Sequence, residues 1–441
     1  MKKTWRNMAA AAVTIGAVSM SVGYAQEAEA AAAPAYDFVF NTLLFLIMGM
    51  VVMFMAAGFC MLEAGSVRAK NAATICYKNV MAYSIASIMV WLIGYNVIYG
   101  DNPTGYIGTL LPWAADDAAA LDTGYSASSD WFFQMVFVAT AASIVSGALA
   151  ERILLWPFFI FTAALTGLIY PIQASWEWGG GWLDSQYGFS DFAGSTLVHA
   201  TGGWAALAGA IAVGPRLGKY GPGGEINRFS GSSLPLVTLG VFILWLGWFG
   251  FNGGSQLALG TLDDAIAVSD IFVNTNTAAA AGVITVAVLS SVLSKRMDLS
   301  LALNGAIGGL VSITAEPLAP AIWQAALIGS VGGVIIFVTT PLLEAIRVDD
   351  VVGAIPAHLF CGIWGTIVVP VTNGDASFVG QAVGIVANGV FVFSVSLVLW
   401  FFLKFTIGLR ASPEDEAKGL DQSEVGADAY PDFTFSTAEQ S

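Results

Sequence analysis

The sequence predicts an all-α polytopic membrane protein, and three observations carry that prediction. Of the 441 residues, 56% are hydrophobic and only 11% are charged, too few charges to coat a water-soluble globule. The mean hydropathy of +0.73 says the same. The apolar residues also gather into stretches near 37–61, 75–99, 131–149, 153–172, 194–213, 233–252, 271–293, 300–315, 320–341, 353–371 and 379–407. Each approaches the ~20 residues that a helix needs to cross ~30 Å of hydrocarbon, with 300–315 the shortest. Finally, the basic residues are one-sided. Beyond the first thirty residues, every lysine and arginine falls in or beside alternate connectors: Arg68, Lys70 and Lys78, then Arg152, then Arg216, Lys219 and Arg228, then Lys295 and Arg296, then Arg347, then Lys404, Arg410 and Lys418. The positive-inside rule makes that side cytoplasmic. The other connectors carry acids: Asp116, Asp117 and Asp122, then Glu177 and Asp184, then Asp263 and Asp264. Eleven transmembrane helices follow, with the N-terminus out and the C-terminus in.

Taken in order, the chain opens with MKKTWRNMAAAAVTIGAVSMSVGYAQEAEA, a basic start, a short apolar run and small residues. This reads as a signal peptide over 1–25, with cleavage as late as 30, because it is short and weakly apolar for a span. An uncleaved first span is the alternative. A transmembrane domain then fills 36–407. The polar segment 408–441 has the composition of a disordered cytoplasmic tail. The formal charge of -15 comes mainly from loops and tail and argues against a nucleic-acid partner.

Cys60, Cys76 and Cys361 lie in or beside apolar segments without metal-like spacing and read as small hydrophobes. The GGG at 179–181 lacks the strand and helix context of a nucleotide loop. No cofactor or metal is expected. The 49 glycines read as sites of close helix packing.

The only two histidines stand in matching segments. D191-FAG-STLV-H199 and D350-VVG-AIPA-H358 both have an aspartate, a glycine three residues later and a histidine eight later. One segment enters from outside and the other from the cytoplasm, as in an inverted repeat of helices 1–5 and 6–10. Eight residues at ~1.5 Å rise carry each histidine ~12 Å from its aspartate, so the two arrive near the midplane from opposite sides. A capping role is expected for Asp191 whatever else it does. Ionisable groups inside a membrane are costly and usually mark a pathway. A neutral imidazole pair lines such a pathway with a donor and an acceptor without adding charge.

The stretches AGFCMLEAGSVRAKN (57–71), FFQMVF and IVSGALAER within 132–152, WGGGWL (178–183), DFAGSTLVH, GWFGFNGGS (247–255), DDVVGAIPAHLFCGIWG (349–365) and GLRASPEDEAKGLDQSEVGADAY (408–430) occur in this order. Together they make the chain resemble the ammonium transporter family, Amt/Mep/Rh, and its Amt branch most closely. The resemblance implies that Phe137 and Phe251 are the stacked phenylalanines closing an outer vestibule. It implies that Trp178 and Ser255 belong to an ammonium recruitment site, with Trp248 nearby. It makes Asp191 the aspartate needed for uptake, and His199 and His358 the twin pore histidines. It further implies a homotrimer in the inner membrane, one pore per subunit, and a regulatory tail where a PII-type signalling protein docks. By base rate alone Phe137, Phe251 and Trp178 are packing or interfacial aromatics. Glu63, Glu151 and Arg152 read as ordinary residues of cytoplasmic helix ends, capping or snorkelling.

These roles are physically coherent. Bare ammonium faces a desolvation cost on the order of tens of kcal/mol in a low-dielectric core. An aromatic face offers up to ~2 kcal/mol to a desolvated cation. Hydroxyl and carboxylate acceptors favour an ion that donates hydrogen bonds, which potassium does not. Deprotonation before the midplane is therefore expected. Two fates of the proton fit these residues: co-transfer gives net cation transport, and release outside gives gas conduction. An ammonium sensor with little transport is a second reading. An intramembrane enzyme using Asp191 and His199 ranks last, because no nucleophile or metal constellation accompanies them.

The one-sided charges predict that a reporter fused after Arg410 faces the cytoplasm. Reporter activity in the periplasm would contradict the topology.

Overall fold

The computed structural model describes residues 36–431, so the signal-peptide expectation lies outside the described residues. Eleven apolar helices run through them, labelled here in chain order: α1 (Tyr36–Ser66), α2 (Ala69–Tyr99), α3 (Ala127–Ala148), α4 (Leu155–Ala174), α5 (Ser195–Val213), α6 (Leu234–Gly254), α7 (Leu262–Ser294), α8 (Leu299–Ile313), α9 (Ile322–Ala345), α10 (Ile355–Thr372) and α11 (Phe378–Thr406). Ten are long and apolar enough to cross a membrane. The eleventh, α8, is shorter, as the 300–315 stretch suggests.

The helices begin where the sequence supplies a cap. Ser233, Thr261, Asp298 and Ser377 each accept a backbone N–H from the first turn of α6, α7, α8 and α11. Thr261 and Asp264 form a reciprocal capping box. In α3 and α5, 83% of the most apolar window is buried, against 28% in α7 and α11, so α3 and α5 form the interior. Glycines let backbones meet there: a Cβ at Gly203 would lie 2.7 Å from the Leu359 nitrogen, and one at Gly362 2.4 Å from the Ser195 oxygen. Gly203 follows His199 by four residues and Gly362 follows His358 by four. The glycine four residues beyond each histidine thus brings α5 and α10 to backbone contact.

Charged residues that follow alternate helices meet at one end. Arg68 donates to Glu151 at 2.7 Å through its backbone N–H and again through Nε. Arg216 makes two side-chain bonds to Asp349, both at 2.9 Å. Lys219 reaches Glu344 at 2.6 Å. Arg152 is buried and donates to the carbonyls of Ala148, Ala150, Gly214 and Asp349. Burial opposes a charged Asp349, but the Arg216 hydrogen bonds and the nearby Arg152 outweigh it and hold its carboxyl below the usual range. Glu151 and Arg152 are therefore interior ties between helix ends, and neither snorkels as the sequence suggested.

The tail is ordered through residue 431 despite its polar composition, because its carboxylates complete helices that lack caps of their own. Asn71 makes no side-chain cap for the helical turn at Ala72. Asp421 takes that place, accepting from Ala73 N at 3.0 Å and from Thr74 N at 2.7 Å. Leu154 likewise supplies no cap, and Glu424 accepts from Leu155 N at 2.8 Å. Glu416, buried, accepts from Arg410 and from Leu217 N. Each borrowed cap contributes about 1 kcal/mol. Truncation after Gly408 should leave the bundle assembled while amide exchange rises in the first turns of α2 and α4. Unchanged exchange there would show that the caps hold nothing in place.

Candidate functional site

Asp191 organises the site from the backbone outward. It is fully buried. Its Oδ1 accepts from the N–H groups of Gly194 (3.0 Å) and Ser195 (2.8 Å), and its Oδ2 from those of Thr196 (2.7 Å) and Leu197 (2.8 Å). Those are donors that a helix start leaves free. The turn is possible because Gly194 takes φ +104, and a Cβ there would lie 2.4 Å from Val198. The partner segment repeats the device: Asp350 accepts from Gly353 N (3.1 Å) and Ile355 N (2.7 Å), with Gly353 at φ +77. Each turn opens a π-helical segment, Ser195–Ala200 or Ile355–Phe360, and each segment carries its histidine. Wide turns of this kind occur often at functional sites.

The two histidines meet. Their Nδ1 atoms are 3.2 Å apart and both rings are buried. Between neutral imidazoles, that contact requires one ring to donate from Nδ1 and the other to accept. His199 is held against Trp248, with ring centroids 4.8 Å apart, and Trp248 is fixed by donating to Thr314 Oγ1 at 2.8 Å. Phe251 also lies against the His199 ring, at 5.2 Å, and is 6.0 Å from Trp248. Phe251 stacks on Phe137 at 4.0 Å, and Phe137 meets Trp178 edge-on at 6.2 Å. At the far end His358 faces Phe59 at 6.2 Å. Rings therefore follow one another from Trp178 to Phe59, with the histidine pair in the middle.

Beside Trp178, Asp191 and Glu177 converge. Trp178 Nε1 donates to the Asp191 carbonyl at 3.0 Å, and the Asp191 N–H donates to Glu177 Oε1 at 2.7 Å. Burial and the neighbouring Asp191 raise the Glu177 carboxyl well above the usual carboxylate range, which favours its neutral form. Ser255, one turn beyond Phe251 and away from His199, donates to the Phe251 carbonyl at 2.9 Å. Its oxygen lone pairs remain available to a donor.

The structure thus brings Trp178, Asp191, Phe137, Phe251, His199 and His358 to one column, with Ser255 just past the end of α6 and bonded to the Phe251 carbonyl. Sequence reasoning missed Phe59 and misread Glu63. Glu63 lies in the last turn of α1, as expected, but is fully buried beyond Phe59 with Lys78 beside it and does not snorkel to the surface. A glutamate and a lysine inside apolar stretches were the available signal. Among the described residues no group of His, Cys, Asp and Glu could hold a metal ion.

Comparison with known proteins agrees with this architecture. The model of the Ammonium Transporter Family matches residues 43–430. The ammonium transporter Amt2 of Archaeoglobus fulgidus is 40% identical over 423 residues, covering 89% of each chain. Among solved structures, one described as a sensor Amt protein superposes with a TM-score of 0.82 at 34% identity, over 87% of this chain and 98% of that one. Mep2 of Saccharomyces cerevisiae superposes with a TM-score of 0.76 at 25% identity, over 86% of this chain and 89% of that one.

Proposed function

The chain belongs to the ammonium transporter family, and from that membership we propose that it takes up ammonium across the cytoplasmic membrane and passes it as ammonia between His199 and His358. The observation that carries this reading is the continuous column, Phe137 stacked on Phe251 at 4.0 Å above a histidine pair at 3.2 Å. Trp178 offers a π face and Ser255 a lone pair at the outer end, where Asp191 supplies the negative charge that attracts a cation. All four hydrogen bonds at the Asp191 carboxylate come from backbone N–H groups, so it acts on the ion through the field and through the shape of the vestibule. The phenylalanine pair closes the way to a hydrated ion. Past it the walls are rings and neutral imidazoles, which give ammonia an acceptor and a donor but return nothing to a desolvated charge. Ammonium enters only by giving up a proton.

In this reading eleven spans cross the membrane with the N-terminus outside and the C-terminus inside, α8 crossing within the protein interior. The apolar faces that carry Phe242, Leu246, Ile284 and Val292 meet lipid or the other subunits of a homotrimer. The tail, holding α2 and α4 through Asp421 and Glu424, is where a PII-type protein acts on the pore, and its loss should alter transport. A sensor that binds ammonium with little transport is the second reading, supported by the likeness to the structure described as a sensor Amt protein. Uptake of 15N-ammonium by reconstituted vesicles separates the two.

Asp191→Ala removes the acceptor for four N–H groups together with the charge at the mouth. Uptake should fall to the level of empty vesicles with the protein still folded, and uptake at the wild-type rate would contradict the role. His199→Asp or His358→Glu places a charge in the column, and conducting variants should admit potassium better than the wild type. Unchanged ammonium-over-potassium selectivity would return both histidines to packing.

A further inference from the structure

On the inner side of the histidine pair lies a small cavity of ≈ 10 Å³, walled by His358, Phe59, Ser143, Asn304 and Glu63. Glu63 follows Phe59 by one helical turn on α1, so its carboxyl sits ~6 Å further along than the ring that faces His358. The carboxyl has no solvent exposure. Its Oε2 accepts from Ser146 Oγ at 2.7 Å and lies 3.9 Å from Lys78 Nζ. Lys78 in turn donates to the Ser146 carbonyl at 2.7 Å and faces the Phe158 ring at 5.2 Å. Glu63 Oε1 has no hydrogen-bond partner among the described residues. Asn79 is close by; its amide donates one N–H to the Ile75 carbonyl at 3.1 Å and keeps a second for the Glu63 carboxyl. Asn304, on the cavity wall, donates to the Val352 carbonyl at 3.0 Å.

This contrasts with the outer carboxylate. Asp191 has both oxygens filled by fixed backbone donors, whereas Glu63 keeps one oxygen free on the path out of the pore. Burying a carboxyl with an unfilled oxygen is costly, and packing alone would be better served by an apolar side chain.

We propose that Glu63 is the proton-exchanging residue of the inner pore, the group from which ammonia arriving past His358 regains its proton. The inference rests on the transport reading above. In the step, the Glu63 O–H bond breaks and an N–H bond forms: ammonia and the carboxylic acid become ammonium and the carboxylate. The proton shed at the outer mouth, handed down the His199–His358 pair, restores the acid, so each ammonium taken up moves one positive charge. Lys78 balances the carboxylate left behind and keeps the new ammonium from being trapped beside it, which lets the ion leave.

The test uses full-length protein in proteoliposomes, with ammonium-evoked current and 15N-ammonium uptake measured on the same vesicles. Glu63→Gln keeps the shape but cannot exchange a proton. Its current should fall at least about tenfold while entry of uncharged ammonia, read as internal alkalinisation, persists. Glu63→Asp should keep most of the current. Because Glu63→Gln leaves Lys78 buried and unpaired, the double variant Glu63→Gln, Lys78→Gln removes that charge as well; it should recover thermal stability but not current. A current unchanged in Glu63→Gln, or restored in the double variant, would overturn the proposal and leave Glu63 the role of neutralising Lys78. Uptake by the wild type without current would overturn it while leaving the transport reading intact. No uptake by the wild type would remove the transport reading and this inference with it.

Discussion

Everything in the column depends on one buried carboxylate satisfying four backbone N–H groups. Asp191 fixes the wide turn at Ser195–Ala200, and that turn sets where His199 points. Without an acceptor there, each stranded donor would cost about 1–3 kcal/mol, and the segment would have to rewind. Asp350 does the same from the other side for His358, so two opposed segments deliver their imidazoles to one contact. The glycines four residues beyond each histidine then bring α5 and α10 to backbone distance, which leaves the pair little freedom to slide apart.

On the proposed function, the geometry accounts for discrimination by a column that carries no charge itself. Selectivity does not require a cation site in the middle, only the absence of anything that would stabilise a desolvated ion there. The outer end provides a charge, a π face and a lone pair. The middle provides rings and two neutral nitrogens. In the proposed transport, an ion that can lose a proton would change its chemistry between the two, and an ion that cannot would stay outside. The inner cavity has the missing counterpart, a carboxyl with an open oxygen beside a lysine.

Much of this was legible in the chain. The Asp–Gly–His spacing at 191, 194 and 199 and again at 350, 353 and 358 encodes cap, left-handed turn and buried histidine in order. The one-sided lysines and arginines anticipate charged groups gathered at one end of the bundle. What was not legible involves partners far apart in sequence. Glu63 looked like a helix-end residue because nothing local reveals that Ser146 and Lys78 close around it. The tail looked disordered because its polarity is matched by uncapped starts of α2 and α4 more than 260 residues away, for instance Leu155 to Glu424. Trp248 gains its place against His199 only through Thr314 on a different helix. Periodicity finds elements and caps, but tertiary polar partners leave no periodic trace.

The central claim, that ammonium passes because it can shed a proton, is tested most directly by offering reconstituted wild-type protein a cation of nearly the same size that has no proton to lose. Vesicles given 15N-ammonium and potassium at equal concentration should accumulate the nitrogen, while potassium neither enters above the level of empty vesicles nor slows ammonium uptake. Potassium entry at a rate comparable with ammonium would contradict the account.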